Sequence, residues 1–113
     1  MLYLEELTNT KLENERSFTD MKFELVELEG DAFAFQNKKD NKVIAEITWA
    51  MLGDVMAVDH TFVSPDLRGQ GVAKKLLDCA AEYAREKEYK MEPICSYVVT
   101  AFERYDDYND IKI

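Results

Sequence analysis

The fold is decided by the stretch VMAVDHTFVSPDLRGQGVAKKLLDCAAEYAREKE, which occupies residues 55–88. Its first nine residues are rich in apolar and β-branched side chains, as is typical of a strand, and Pro65 ends that pattern. Beyond the glycines at 69 and 71, apolar residues recur at the spacing of one helix face: Val72, Leu76, Cys79, Ala80, Tyr83 and Ala84. The stretch therefore predicts a strand, a glycine-rich turn and one long helix.

Working outward, the flanking sequence predicts three more strands before this stretch, and one strand and a short helix or turn after it. Alternating apolar segments and polar turns predict strands near residues 23–28, 31–37, 43–51 and 54–63, then a fifth strand near 91–97 and a short last helix or turn over 99–105. The order ββββαβα defines an α+β fold. Its sheet is expected to be mostly antiparallel, with strand five returning beside strand four.

The chain has the length of one domain, because domains usually contain about 100–150 residues. Residues 1–20 hold five acids and two bases with sparse leucines, which predicts an N-terminal extension that is either a short helix or loose. The strand pattern begins after Met21, so we expect residues 21–113 to form the compact domain.

Composition and charge exclude several classes of function. With 14 Lys plus Arg and 23 Asp plus Glu, the formal charge of −9 repels phosphate backbones and anionic membranes, so neither is an expected partner. No apolar run could span a bilayer and the acidic N-terminus is unlike a signal peptide, which predicts a cytoplasmic protein. Two cysteines and one histidine are too few for a metal site, so no metal is expected.

Residues 68–75, RGQGVAKK, form a basic island in this acidic chain. The island holds three cations and no acid, and it stands where a strand gives way to a helix. Backbone N–H groups that converge at a helix N-terminus bind phosphate or pyrophosphate well. A tight strand-to-helix connection would use the same glycines, so this pattern alone leaves both interpretations open.

Two motifs make the family recognisable: HTFVSPDLRGQGVA at residues 60–73 and PICSYV at residues 93–98. The first contains a [Q/R]-x-x-G-x-[G/A] pyrophosphate loop between the fourth strand and the long helix. Over about residues 22–110 the chain resembles the GNAT N-acetyltransferase superfamily, and in particular its small single-domain members. The resemblance implies acetyl-CoA as cofactor and a sheet whose strands four and five splay apart to admit it.

The resemblance also implies roles for individual residues. The pyrophosphate would lie on the loop and first helical turn, and the pantetheine arm along the end of strand four. The implied cofactor-binding residues are Phe62, Val63, Arg68, Gly69, Gln70, Gly71, Val72, Ala73 and Lys74. The acetyl group would then lie near His60 and Cys95, the two candidate catalytic residues.

His60 is the side chain best matched to removing a proton from an amine, because an ordinary histidine has a pKa near 6.5. Strict alternation along strand four places His60 on one face with Met56, Val58 and Phe62. That placement is compatible with a buried structural histidine as well as with a desolvated base. Glu46 on strand three is a second candidate base, acting through a water.

Cys95 is expected in the fifth strand, facing the cleft. Three roles remain open for its thiol: inert packing, protonation of the departing CoA sulfur, and covalent acceptance of the acetyl group. The leading hypothesis is direct acetyl transfer to an amine in a ternary complex. The alternative is a non-catalytic CoA-binding or interaction module of the same fold. The acceptor and the oligomeric state are not determined by the sequence, although acidity mildly favours a cationic acceptor such as a polyamine or a Lys-rich peptide.

Overall fold

Strands joined by polar turns precede the glycine loop, and the first helix begins directly after it, as the sequence predicts. The computed structural model describes residues 21–113, so the predicted extension at residues 1–20 lies outside the described residues. The elements are β1 (Glu24–Glu27), β2 (Ala32–Lys39), β3 (Lys42–Leu52), β4 (Val55–Val63), α1 (Val72–Lys87), β5 (Lys90–Pro93) and α2 (Ser96–Arg104). Short 3₁₀ turns occupy Pro65–Leu67 and Asp106–Tyr108.

The sheet is a four-stranded meander with one parallel strand added. Strands β1 to β4 pair antiparallel in chain order, and β5 pairs parallel with β4. Asp40 and Asn41 join β2 to β3 with positive φ at both positions, the geometry of the two-residue turns that suit twisted hairpins. Helix α1 supplies the crossover that a parallel pair requires. The prediction of an α+β domain with a mostly antiparallel five-stranded sheet is confirmed.

The hydrophobic core lies on one face of the sheet, where both helices pack. Its buried members include Ile47, Trp49, Met56 and Val58 from the strands and Leu76, Leu77, Val98 and Phe102 from the helices. The Trp49 ring lies 5.4 Å from that of Phe35 and 5.6 Å from that of Tyr83, between centroids. We call this side the helix face. The opposite side, the outer face, is defined by the register positions of Ala34, Gln36, Glu46, Thr48, His60 and Phe62.

A bulge in β4 carries His60 to the outer face. The pairing with β3 passes over Asp59, which lies between Val58 and His60 and has no cross-strand partner in that ladder. One extra residue reverses the alternation of side chains. Met56 and Val58 are therefore buried in the core, whereas His60 and Phe62 are exposed on the other side. The prediction that these four share a face is wrong, because strict alternation assumes a strand without a bulge.

The C-terminal motif starts a helix where a strand was expected. Strand β5 ends at Pro93, Cys95 is the N-cap of α2, and α2 begins at Ser96. The predicted strand over 91–97 is therefore wrong beyond Pro93, and Cys95 does not lie in a strand. The physical reason is the burial of residues three and four apart, which is the helical period: Val98, Ala101 and Phe102.

Strands β4 and β5 separate after Val58. They pair from Val55 opposite Lys90 to Val58 opposite Pro93. The amides of Ile94 and Cys95 then both donate to the Val58 carbonyl, at 3.0 and 2.9 Å. Residues 59–63 of β4 continue beyond this point with only β3 as a strand neighbour among the described residues. The chain thus opens a gap beside the end of β4, where the sequence places the cofactor.

Candidate functional site

A cavity of about 410 Å³ lies at the point where β4 leads into α1. Its walls come from the end of β4, the glycine loop, the first turn of α1, and α2 with the residue that follows it. The lining residues are Val63, Leu67, Arg68, Gly69, Gly71, Val72, Ala73, Lys74, Tyr97 and Tyr105. Every residue predicted to bind the cofactor therefore lines this cavity, except Phe62 and Gln70.

The N-terminus of α1 opens onto this cavity. Gly71 is the N-cap with φ of 75°, and no side chain of the described residues caps the helix there. The hydrogen bond that closes the first turn runs from the Lys75 amide to the Gly71 carbonyl, at 3.1 Å. The amides of Val72, Ala73 and Lys74 come before Lys75, and the amides of a helix's first turn have no carbonyl partner within the helix. Because the first turn also holds no acid, the positive end of the helix dipole is left for an anion.

The glycines make room for that anion. Gly69 and Gly71 have φ of 81° and 75°, which L side chains rarely adopt. A Cβ added at either position would meet no heavy atom within 4 Å, so the loop backbone borders open space. A phosphate could approach the backbone closely at both positions.

Two side chains of the loop fasten it in place. Arg68 Nε donates to the Val63 carbonyl at 3.2 Å, which ties the loop to the end of β4. Gln70 Nε2 donates to the Asp66 carbonyl at 3.3 Å, across the 3₁₀ turn. Gln70 thus holds the loop conformation while its amide nitrogen bonds away from the cavity. Arg68 is also one of the residues that line the cavity.

Lys74 lines the cavity, but its ammonium is already engaged. Lys74 Nζ lies 3.1 Å from Asp78 Oδ1, 3.6 Å from Asp107 Oδ2 and 4.8 Å from the centroid of the Tyr105 ring. Partial burial opposes its charge, but hydrogen bonds with Tyr108 and Asp78 outweigh burial and raise the pKa of Lys74. Lys74 therefore carries a firmly held positive charge, shared between this network and the cavity.

The aromatic wall of the cavity was not anticipated. Tyr97 in the first turn of α2 and Tyr105 just after α2 both face the glycine loop across the cavity. Burial raises the pKa of Tyr97, and the neighbouring Tyr105 adds to the rise, so Tyr97 is a neutral hydroxyl at pH 7. The position of Tyr97 depends on α2 beginning at Ser96. The predicted strand over 91–97 therefore gave no sign of it.

His60 lies on the other side of β4, half-exposed on the outer face. Its Nε2 is 3.7 Å from Glu46 Oε2, and 54% of its side chain is accessible. Glu46 in turn accepts a hydrogen bond from Gln36 Nε2 at 2.9 Å on its other oxygen. Phe62 also lies outside the cavity and instead borders a different one, of about 380 Å³, beside Ile44 and Pro65. The two predicted functions, binding and proton removal, therefore fall on opposite faces.

Cys95 stands at the gap between β4 and β5. Its Sγ donates a weak hydrogen bond to Thr61 Oγ1 at 3.5 Å, and Thr61 follows His60 in β4. Thr61 pairs with Ile47 on the helix face, so the thiol and the imidazole reach β4 from opposite sides. Cys79 lies away from this site, on α1. Burial, with the charges of Asp78 and Glu82, raises the Cys79 pKa to about 12, which keeps that thiol protonated.

Comparison with known proteins gives a consistent result. A protein-family model described as GCN5-related N-acetyl-transferase matches residues 32–111. The solution structure of a GCN5-like protein from Staphylococcus aureus is 33% identical to the chain, with a TM-score of 0.63. That match covers 83% of this chain and 89% of the other.

Among proteins with curated descriptions, none matches the chain.

A more distant similarity concerns the fold alone. The ribosomal-protein-S18-alanine N-acetyltransferase from Escherichia coli is 18% identical, with a TM-score of 0.51 over 57% of this chain and 43% of that one.

No helix within residues 21–113 has the length and apolar character needed to cross a bilayer.

Proposed function

Because the chain belongs to the GCN5-related N-acetyltransferase family, we propose that it transfers the acetyl group of acetyl-CoA to an amine within a ternary complex. The observation that carries this proposal is the uncapped N-terminus of α1, which opens onto a cavity lined by the glycine loop. A pyrophosphate is the group that such an arrangement of amides and dipole accommodates.

The residues around the cavity fit acetyl-CoA. The amides of residues 69–73 would hold the pyrophosphate, with Arg68 and Lys74 supplying positive charge beside it. The gap after Val58 leaves the end of β4 accessible to the pantetheine arm. When bound, acetyl-CoA supplies a thioester carbonyl that is susceptible to attack by a neutral nitrogen.

The difficult step is the deprotonation of the amine. An amine with a pKa near 10.4 is neutral in about 1 part in 2,500 at pH 7, which corresponds to a handicap of about 4.6 kcal/mol. His60 is the histidine of this chain and is accessible on the outer face. His60 would accept the amine proton as general base. The nitrogen then bonds to the acetyl carbon as the carbon–sulfur bond breaks, and the departing sulfur gains a proton.

The two faces of β4 favour direct transfer over a covalent relay. The cavity lies on the helix face and His60 on the outer face, so the acceptor and the cofactor would approach β4 from opposite sides. Cys95, which is hydrogen-bonded to Thr61 on the helix face, would protonate or position the sulfur. No step requires the acetyl group to stop on the thiol.

The test of cofactor binding is a thermal shift with CoA. A ligand at 100 times its Kd stabilises the folded protein by about 2.7 kcal/mol, so millimolar CoA should raise the Tm by several degrees. Gly71→Asp should abolish this shift, because a carboxylate would then face the phosphates. Gly53→Asp is the matched control, since Gly53 also has positive φ and open space around its Cβ position but lies in a distant hairpin.

An unchanged shift in Gly71→Asp, or its equal loss in Gly53→Asp, would contradict the assigned pocket. Turnover is then measured with acetyl-CoA and a panel of amines that includes polyamines and Lys-rich peptides. Binding of CoA without acetylation of any amine would favour the alternative, a non-catalytic CoA-binding module.

A further inference from the structure

We propose that Glu46 and Gln36 are positioning residues that act on His60: Gln36 fixes the carboxylate of Glu46, and Glu46 orients the imidazole. The proposal rests on the proposed function for the role of His60 as base. It adds a chain of three side chains across β2, β3 and β4 that the sequence motifs do not include.

The strand register brings the three residues together on the outer face. Gln36 in β2 is the cross-strand partner of Glu46 in β3. Glu46 lies diagonal to His60, whose direct partner is Thr48, two residues further along β3. Diagonal neighbours on one sheet face are within reach of long side chains. The bulge at Asp59 is essential, because regular alternation would turn His60 toward the core.

The two oxygens of Glu46 are not equivalent. Gln36, only 8% exposed, donates its amide to Oε1 at 2.9 Å, which holds the carboxylate against the sheet. Oε2 is then left toward His60, 3.7 Å from Nε2. At that separation the contact is an ion pair once the imidazole takes up a proton. In the Ser-His-Asp triad a carboxylate beside an imidazole holds the ring in one tautomer and orientation.

A second carboxylate on this face supplies a built-in comparison. Asp59 adjoins His60 in the chain, but Asp59 Oδ1 accepts a hydrogen bond from Thr48 Oγ1 at 2.7 Å. Both acids contribute one negative charge to the outer face. Only Glu46 makes an ion pair with the imidazole among the described residues.

The decisive experiment is nitrogen NMR of the imidazole, which needs no turnover. The chain contains one histidine, so the ring signals belong to His60 without assignment work. In the wild type the carboxylate favours the tautomer that carries its proton on Nε2. In Glu46→Gln, Gln36 still donates to the oxygen of residue 46, so the new amide NH₂ faces the ring. The neutral ring should then switch to the tautomer protonated on Nδ1.

Asp59→Asn is the matched control, because it removes one charge from the same face and should leave the tautomer unchanged. Gln36→Leu keeps the carboxylate but frees it, so it should give a mixture of both tautomers. The proposal is overturned if Glu46→Gln keeps the wild-type tautomer, or if Asp59→Asn changes it as much. Backbone spectra of each variant report folding independently.

Kinetics separate positioning from substrate binding. Glu46→Gln should lower kcat about tenfold and change KM for the amine less than threefold, while Asp59→Asn stays within twofold of wild type in both. A raised KM with unchanged kcat would mean that Glu46 binds the cationic acceptor, which contradicts the proposal. If no amine is acetylated by the wild type, the proposed function fails, and the NMR result still decides whether Glu46 orients His60.

Discussion

The two faces of the sheet differ in what they offer a ligand. The helix face is apolar and packed, and at the N-terminus of α1 backbone donors and glycines border a cavity. The outer face carries side chains that can move a proton, with His60 and Glu46 in contact across two strands. Under the proposed function, β4 would separate cofactor binding from proton transfer, so variants on each side should affect different measurements.

The largest effect is expected on the outer face. His60→Ala should lower the acetylation rate at pH 7 by roughly 10²–10⁴-fold, because the amine loses its general base. The loss should shrink above pH 9, where more of the amine is already neutral. The thermal shift caused by CoA should remain that of the wild type. Loss of that shift in His60→Ala would contradict the division between the faces.

The next effect is expected at the open end of α1. Ala73→Asp places an acid in the first turn, which should weaken CoA binding at least tenfold by repulsion of the phosphates. The same acid interacts favourably with the helix dipole by about 0.3–1 kcal/mol, so the free protein should melt slightly higher. Calorimetric titration with CoA and thermal unfolding measure the two effects. Ala73→Asn is the control of equal size, and an equal loss of affinity there would point to shape instead of charge.

Variants of Cys95 test whether the acetyl group passes directly to the amine or first bonds to the thiol. In direct transfer, Cys95→Ala should slow turnover about tenfold, since the thiol only positions or protonates the leaving sulfur. Intact-mass spectra of the wild type with acetyl-CoA and no amine should show no acetyl adduct. Cys79→Ala is the matched control, because Cys79 lies on α1 and not at the gap between β4 and β5. A competent adduct that depends on Cys95 would replace direct transfer with a covalent relay.

The smallest effect is expected near the C-terminal end of α1. Arg85 Nε bonds Asp110 Oδ2 at 2.7 Å, and this bond with Arg85 holds the Asp110 pKa below its usual range. A depressed folded pKa stabilises the protein above the unfolded value, near 3.9, and this contribution is lost as pH falls through the folded value. Asp110→Asn should therefore melt a few degrees lower at pH 7.

The difference between Asp110→Asn and the wild type should begin to shrink as pH falls below about 4, and it should disappear once pH is below the depressed folded pKa of Asp110, where the wild-type carboxyl is protonated as well. Thermal unfolding from pH 7 to pH 2.5 measures this convergence. CoA binding should be unaffected at pH 7, since Asp110 is remote from the lining of the α1 N-terminal cavity. A constant difference at all pH values would show that the charge of Asp110 does not matter.

The sequence by itself determined the order of elements and the position of the glycine loop. Strands, polar turns, the glycines at 69 and 71 and the apolar stripe of α1 are local patterns, and local patterns follow from backbone sterics and side-chain period. That is why the α+β fold and most of the cavity lining agree with expectation. The roles of the lining residues stay predictions that the experiments above address.

Only the tertiary structure decided where the reactive side chains lie. The bulge at Asp59 depends on the pairing of β4 with β3, which no periodicity in β4 alone encodes. The change from strand to helix at Cys95 depends on burial of α2 against the core. The contact between Glu46 and His60 joins residues of different strands, as does the bond from Gln36 to Glu46. Such pairings are set by long-range register, because a side chain's partner across a sheet is chosen by the whole fold and not by its neighbours in the chain.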